Sequence, residues 1–131
     1  MRLHLCRPTR AEELRVVRGR IRRLLQAVDA QEDVVLDVVF ACNEACANAI
    51  RHPIEPSRAE FEVKADADRD QVRVMVRDFG RWRNEPSRQG TGLELMCWLM
   101  DDVRLRTTGS GTFVRLLRTL NGEVFAPGSS G

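Results

Sequence analysis

Val34-Val35-Leu36-Asp37-Val38-Val39-Phe40-Ala41-Cys42-Asn43-Glu44-Ala45-Cys46-Ala47-Asn48-Ala49-Ile50-Arg51-His52-Pro53 is the segment on which the reading of this chain turns. Its first half is too apolar for a helix that buries a single stripe. The segment is therefore predicted as a helix from about Gln31 to Arg51, buried on more than one side. Pro53 stops it, because proline cannot continue the helical ladder and restricts His52 before it. Glu44 and Asn48 stand four residues apart, hence on one face about a turn from each other. A carboxylate and a carboxamide in so apolar a helix are unfavourable unless they meet partners. The pair suits a hard cation such as Mg²⁺, with Asn48 as a neutral oxygen donor and Glu44 free to act as a base. Taken alone, the two residues are explained equally well by solvent exposure or backbone capping.

On the N-terminal side, Leu3 and Leu5 alternate with Arg2, His4 and Cys6, which predicts a short strand ended by Pro8 and Thr9. From Glu12 to about Val28, the residues Leu14, Val17, Ile21, Leu24 and Val28 recur at spacings of three and four, an amphipathic helix interrupted by Asp29 to Asp33. On the C-terminal side, Ala59 to Ala65 alternates, as do Val72, Val74 and Val76 with Arg73, Met75 and Arg77, and Asp66 to Asp70 connects the two as a hairpin. Phe79 to Gly92 is a long loop for so small a domain, and such loops tend to carry function. A third helix, about Leu93 to Met100, and a second hairpin, Val103 to Thr107 and Thr112 to Leu117 turning at Gly109-Ser110-Gly111, complete the chain. This order predicts an α+β two-layer sandwich, with a mixed, mostly antiparallel sheet covered on one face by about three helices. The domain is expected to span residues 1–124, with 125–131 a disordered tail.

The 131 residues suit one domain, and 43% hydrophobic with 31% charged residues is the composition of a soluble globular protein. No apolar run is long enough to span a bilayer, and the N-terminus lacks a signal-length apolar stretch, so no membrane partner and a cytoplasmic location are expected. The net charge is +2, with Lys64 the one lysine among 21 basic residues. Arg18, Arg20, Arg22 and Arg23 read as a solvated helix face. With two Trp, five Phe and no Tyr to stack bases, direct nucleic-acid binding is not expected. Cys6, Cys42, Cys46 and Cys97 form no CxxC pair. Cys42 and Cys46 with His52 could hold a metal, but small buried core thiols are the cheaper reading.

Three further motifs carry chemistry. In Asp78-Phe79-Gly80 an acid ends an alternating strand, where it can accept a hydrogen bond from an exocyclic amine while Gly80 lets a ligand approach the backbone. Arg88-Gln89-Gly90-Thr91-Gly92-Leu93 places two glycines before a helix, where free amides can cradle phosphate and Arg88 adds charge. It lacks the Lys-Ser/Thr of a Walker loop and the third glycine of a dinucleotide fingerprint. Gly111-Thr112 opens the last strand, with a hydroxyl able to share a ligand with Asp78 if the strands are neighbours.

Taken in order, Glu44-xxx-Asn48-Ala49, Asp78-x-Gly80, Gly90-x-Gly92-Leu93 and Gly111-Thr112 resemble the GHKL ATPase superfamily of gyrase-type, chaperone, histidine-kinase and mismatch-repair ATPases. Asn43 to His52 is similar to the bacterial anti-sigma factor serine kinases within it. The resemblance spans about residues 8 to 120. It implies a Bergerat-type ATP site in which Asn48 coordinates Mg²⁺, Glu44 activates the attacking hydroxyl and Asp78 binds the adenine amine with support from Thr112. Gly80, Gly90 and Gly92 would supply hinges and phosphate-facing amides around Thr91, Leu93 would open the helix behind them, and Arg88 and His52 would neighbour phosphate or substrate. Two positions depart from the family pattern: Trp82, where a second glycine is common, and Pro53, which ends the second helix early.

The resemblance implies a protein-serine kinase that phosphorylates a STAS-type anti-anti-sigma partner and alternately sequesters a sigma factor. A nucleotide-binding module that controls a partner by occupancy alone is the alternative. Relatives are often dimers, and short-lid versions occur fused to phosphatase or sensor domains. Phe40, Trp98 and Phe125 suit either an interface or the core.

Overall fold

A computed structural model of the chain describes residues 1–82 and 92–120. In chain order the elements are β1 (Arg2–Pro8), α1 (Glu13–Ala27), α2 (Glu32–Arg51), β2 (Pro53–Ile54), β3 (Glu60–Ala67), β4 (Gln71–Asp78), β5 (Arg81–Trp82), α3 (Leu93–Leu99), β6 (Asp102–Thr108) and β7 (Gly111–Thr119). Five strands form an antiparallel sheet in the order β1-β3-β4-β7-β6, and β2 pairs with β5 in a small second ladder. The predicted α+β sandwich is the observed one. Every pairing in the large sheet is antiparallel, so none of the mixed character allowed by the sequence is present among the described residues.

Strand alternation and register together build the core. Leu3, Ala65, Val74, Leu116 and Val103 lie side by side across the five strands, and Leu5, Val63, Val76, Val114 and Leu105 form the next row. Against these rows α1 buries Val17, Ile21, Leu24 and Leu25. The neighbouring helix, α2, buries eleven residues between Val34 and Ala49, which explains why its sequence has no broad polar face. Cys42 and Cys46 are among them and sit in the core cluster. Burial pushes the Cys42 thiol up to about 12 and the Cys46 thiol well above its ordinary value, since a thiolate would be desolvated there.

Both long helices end as local chemistry requires. Asp29 adopts a left-handed φ of 60°, and the amides of Ala30 and Asp29 donate to the carbonyls of Leu25 and Gln26, a Schellman closure of α1. At the end of α2, His52 donates to the Asn48 carbonyl and Pro53 follows. The β3–β4 turn is tighter than expected, because Asp68 Oδ1 accepts from the amides of Asp70 and Gln71 at 2.7 and 3.0 Å and lets β3 run on to Ala67. Those two bonds, Gln71 first, lower the Asp68 carboxyl below its usual range.

Among the described residues, no element covers the opposite face of the sheet. Arg2, Asp66, Arg73, Leu117 and Asp102 form one outward row, and His4, Lys64, Met75, Arg115 and Arg104 the next. A trough of about 840 Å³ crosses these rows. Phe40 and Trp98 are 52% and 85% exposed, so neither is a core residue. Phe125 and the expected boundary at 124 lie outside the described residues. No helix among the described residues is long and apolar enough to cross a membrane.

Titration of the folded protein with a thiol reagent should read two fast thiols, the exposed Cys6 and Cys97, and four after unfolding. Modification of Cys42 or Cys46 before unfolding would contradict this packing.

Candidate functional site

The inward-facing series of β4 runs Val72, Val74, Val76 and then Asp78, and that of β7 runs Leu116, Val114 and then Thr112. Both series turn polar at the same end of the sheet. A carboxylate placed there loses most of its hydration, and it is only 2% exposed. The backbone compensates. Asp78 Oδ1 accepts from the amides of Gly80 and Thr112, each at 3.2 Å. Thr112 is 1% exposed, and its hydroxyl is buried without a hydrogen-bond partner among the described residues. A buried hydroxyl of this kind is where a ligand or water group is expected.

Two glycines allow the close approach. At Gly111 φ is +152°, and an added Cβ would overlap the carbonyl oxygen of Asp78, so the start of β7 lies directly on the backbone of that acid. At Gly80 a Cβ would stand 2.8 Å from Pro53 Cβ and 2.9 Å from the Ile54 carbonyl oxygen. Pro53, one of the sequence's two departures, forms part of that wall, and its backbone pairs with that of Trp82, the other, across the β2–β5 ladder. Ser57 fastens the same segment, its amide donating to the Phe79 carbonyl at 2.9 Å. Arg58 and Arg77 stack over the Phe79 ring at 4.4 and 4.5 Å.

Asn48 is fully buried on α2, one turn from the half-buried Glu44 and one turn from His52. His52 lies within electrostatic reach of Asp78, and its imidazole is held below its ordinary value by burial first and by Arg51 second, against the opposing pull of Asp78. From the other side, Gly92 caps α3 with φ +76°, and an added Cβ there would overlap Glu44 Oε1. Leu93 follows it into the core. The fold is thus closed around this end by α2, β4, β7 and the start of α3. An ion pair from Arg118 to Asp37 at 3.0 Å, together with a hydrogen bond from Arg118 to the Leu99 carbonyl, holds β7, α2 and α3 in that relation.

Of the residues singled out in the sequence, Glu44, Asn48, Asp78, Gly80, Gly92, Leu93 and Thr112 are all contributed by elements that meet at this end of the fold. Arg88, Gly90 and Thr91 lie outside the described residues. The suggested Cys42, Cys46 and His52 metal group is not formed, because both thiols are in the core while His52 sits beyond the end of the helix. The contribution of Gly111 and the β2–β5 ladder were not anticipated. Gly111 was visible as the first residue of a quoted motif, whereas two-residue strands leave no periodicity to read.

The donor set is one of hard oxygens: the carboxamide of Asn48, the carboxylates of Glu44 and Asp78, and the hydroxyl of Thr112. It fits Mg²⁺ and a hydrogen-bonding heterocycle better than a soft metal.

Residues 7–118 match the family of the histidine kinase-like ATPase domain. The chain is 27% identical to the serine-protein kinase RsbW of Bacillus subtilis and to that of Bacillus velezensis, over 88% of its own length and 84% of theirs. Among solved structures it is similar to the RsbU and RsbW domains of Rv1364c from Mycobacterium tuberculosis, with a TM-score of 0.76 and 22% identity, covering 92% of this chain and 32% of that one. The histidine kinase domain of a blue-light activated histidine kinase from Erythrobacter litoralis gives a TM-score of 0.54 at 20% identity, covering 87% of this chain and 62% of that one. The chain therefore spans about a third of the first solved chain and under two thirds of the second.

Gly111→Ala should destabilise the protein by about 1 to 3 kcal/mol, through backbone strain and overlap with Asp78. Gly109→Ala, which meets nothing within 4 Å, should stay within about 0.5 kcal/mol of the parent. Urea unfolding of the two variants checks the contrast, and equal stabilities would contradict the close approach.

Proposed function

The chain belongs to the histidine kinase-like ATPase domain family, and from that membership we propose that it is an ATP-dependent protein-serine kinase of the anti-sigma type. Its substrate is a serine of a STAS-type anti-anti-sigma protein, and a sigma factor is its alternate partner. The relatives named serine-protein kinases support the kinase reading. The observation that carries it furthest is that the three buried polar side chains among the described residues are Asn48, Asp78 and Thr112. Burying three polar groups from a helix and two strands is costly unless each is hydrogen-bonded, and the Thr112 hydroxyl, buried without a hydrogen-bond partner among the described residues, is the one left for a ligand.

In this reading Asp78, fixed by the Gly80 and Thr112 amides, accepts a hydrogen bond from the exocyclic amine of adenine, and Thr112 adds its hydroxyl. Gly80 and Gly111 let the chain close tightly around Asp78, which fixes the carboxylate that meets the base. Asn48 would hold Mg²⁺ through its carboxamide oxygen. When bound, Mg²⁺ offsets negative charge on the transferring phosphoryl group. Glu44, one turn away, takes the proton from the serine hydroxyl. Arg88, Gly90, Thr91 and Gly92 supply charge and amides to the phosphates, and Leu93 anchors α3 behind them.

Transfer of labelled phosphate from ATP to a STAS-domain protein tests this reading. The parent should label the partner on serine, and Glu44→Ala should slow transfer by about 100- to 10,000-fold while nucleotide affinity changes little. Nucleotide binding without transfer would instead favour a module that regulates by occupancy, and transfer that survives Glu44→Ala would remove the assigned base.

A further inference from the structure

We propose that His4, Cys6 and Glu62 form a surface site for a borderline divalent transition ion such as Zn²⁺. The site lies on the open face of the sheet, opposite the face that carries Asp78 and two strands across from it, since β1 and β4 flank β3. Its assembly follows from strand geometry. His4 and Cys6 are two residues apart on β1 and project to the same face, while Glu62 on β3 is the direct cross-strand partner of Cys6. An imidazole, a thiol and a carboxylate therefore converge without any loop to place them. Their ligand atoms all lie within 4.8 Å of one another. His4 Nε2 is 2.6 Å from Glu62 Oε2, and Cys6 Sγ is 4.0 Å from the same nitrogen.

Tetrahedral coordination with metal bonds of zinc length separates ligand atoms by roughly 3.3 to 3.6 Å. Reaching that spacing requires the imidazole and carboxylate to part by about 1 Å or less and the thiol to move inward by about 1 Å, displacements within the range of side-chain torsions. The donor set decides the class of ion. Mg²⁺ and Ca²⁺ prefer all-oxygen shells, whereas imidazole with thiolate selects Zn²⁺ and its neighbours. A thiolate and a carboxylate cancel the charge of a divalent ion, so the filled site is neutral beside Lys64 and Arg77, the register neighbours of His4 and Glu62. Three protein ligands leave the fourth position to water or to a further donor. Without an ion, the His4–Glu62 contact and the Cys6–His4 sulfur contact already hold the three groups together on this face. Since the ligands span 58 residues of chain, a bound ion would clip the edge strand β1 to β3.

Titration of the untagged full chain with Co²⁺, a spectroscopic stand-in for Zn²⁺, tests the site. One equivalent should produce a thiolate-to-cobalt charge-transfer absorption that Zn²⁺ abolishes. Cys6→Ser should eliminate that absorption, and His4→Ala and Glu62→Ala should each weaken binding at least about tenfold. Cys97→Ser should leave it unchanged. The far-ultraviolet circular dichroism of each variant in chelator should match the parent, which separates ligand loss from misfolding. Absence of the charge-transfer absorption from the parent, its persistence in Cys6→Ser or its dependence on Cys97 would overturn the proposal. Because this readout requires a thiolate, it is independent of the oxygen-ligated nucleotide site.

Discussion

A carboxylate buried at the end of a row of valines is the constraint around which the rest of this fold is arranged. Asp78 continues the inward series of Val72, Val74 and Val76, and at 2% exposure it would be unfavourable by several kcal/mol without compensation. The two amides that meet it come from residues 80 and 112, one local and one 34 residues away. Satisfying the second requires β7 to begin on top of Asp78, and only a glycine at 111 permits that approach. The strand order, with β7 beside β4, and the polar end of the sheet are thus two expressions of the same requirement.

The long second helix meets this requirement from above. Its N-terminal half is there to cover the sheet, with Val34, Val35, Val38 and Val39 all buried, while its C-terminal half carries Glu44 and Asn48 over the polar end. A single helix thereby couples core stability to the placement of the two side chains assigned to metal binding and proton transfer. The contact between Gly92 and Glu44 adds the start of α3, and Arg118 ties that arrangement to β7 through Asp37 and Leu99. Substitutions far from the polar end, along the apolar rows or at Arg118, are therefore expected to act on the site through the seating of α2.

Much of this was legible in the sequence because periodicity reports burial directly. The alternation of Val72, Val74 and Val76 and the spacing of Val17, Ile21 and Leu24 locate their elements to within a residue or two. Asn48 was legible as a carboxamide inside an apolar helix and Asp78 as an acid ending an alternating strand, whereas Thr112, at a strand start, stood out only through the order of the motifs. Other features leave no such trace. The Pro53–Trp82 pairing depends on tertiary approach between two-residue strands. The left-handed Asp29 takes a place usually held by glycine. Phe40 and Trp98 are apolar yet exposed, so hydrophobicity alone does not place them. The His4, Cys6 and Glu62 group was hidden because its third member joins only through the β1–β3 register.

The account stands most directly on Asp78 as the acceptor for adenine, and calorimetry of ATP and ADP binding in the presence of Mg²⁺ tests it in the Asp78→Asn variant. Asparagine keeps one oxygen for the Gly80 and Thr112 amides but replaces the other with a donor that cannot accept from an exocyclic amine. Micromolar binding by the parent, lost in a variant whose near-ultraviolet circular dichroism is unchanged, is the predicted result. No binding by the parent, or equal binding by both, would contradict it.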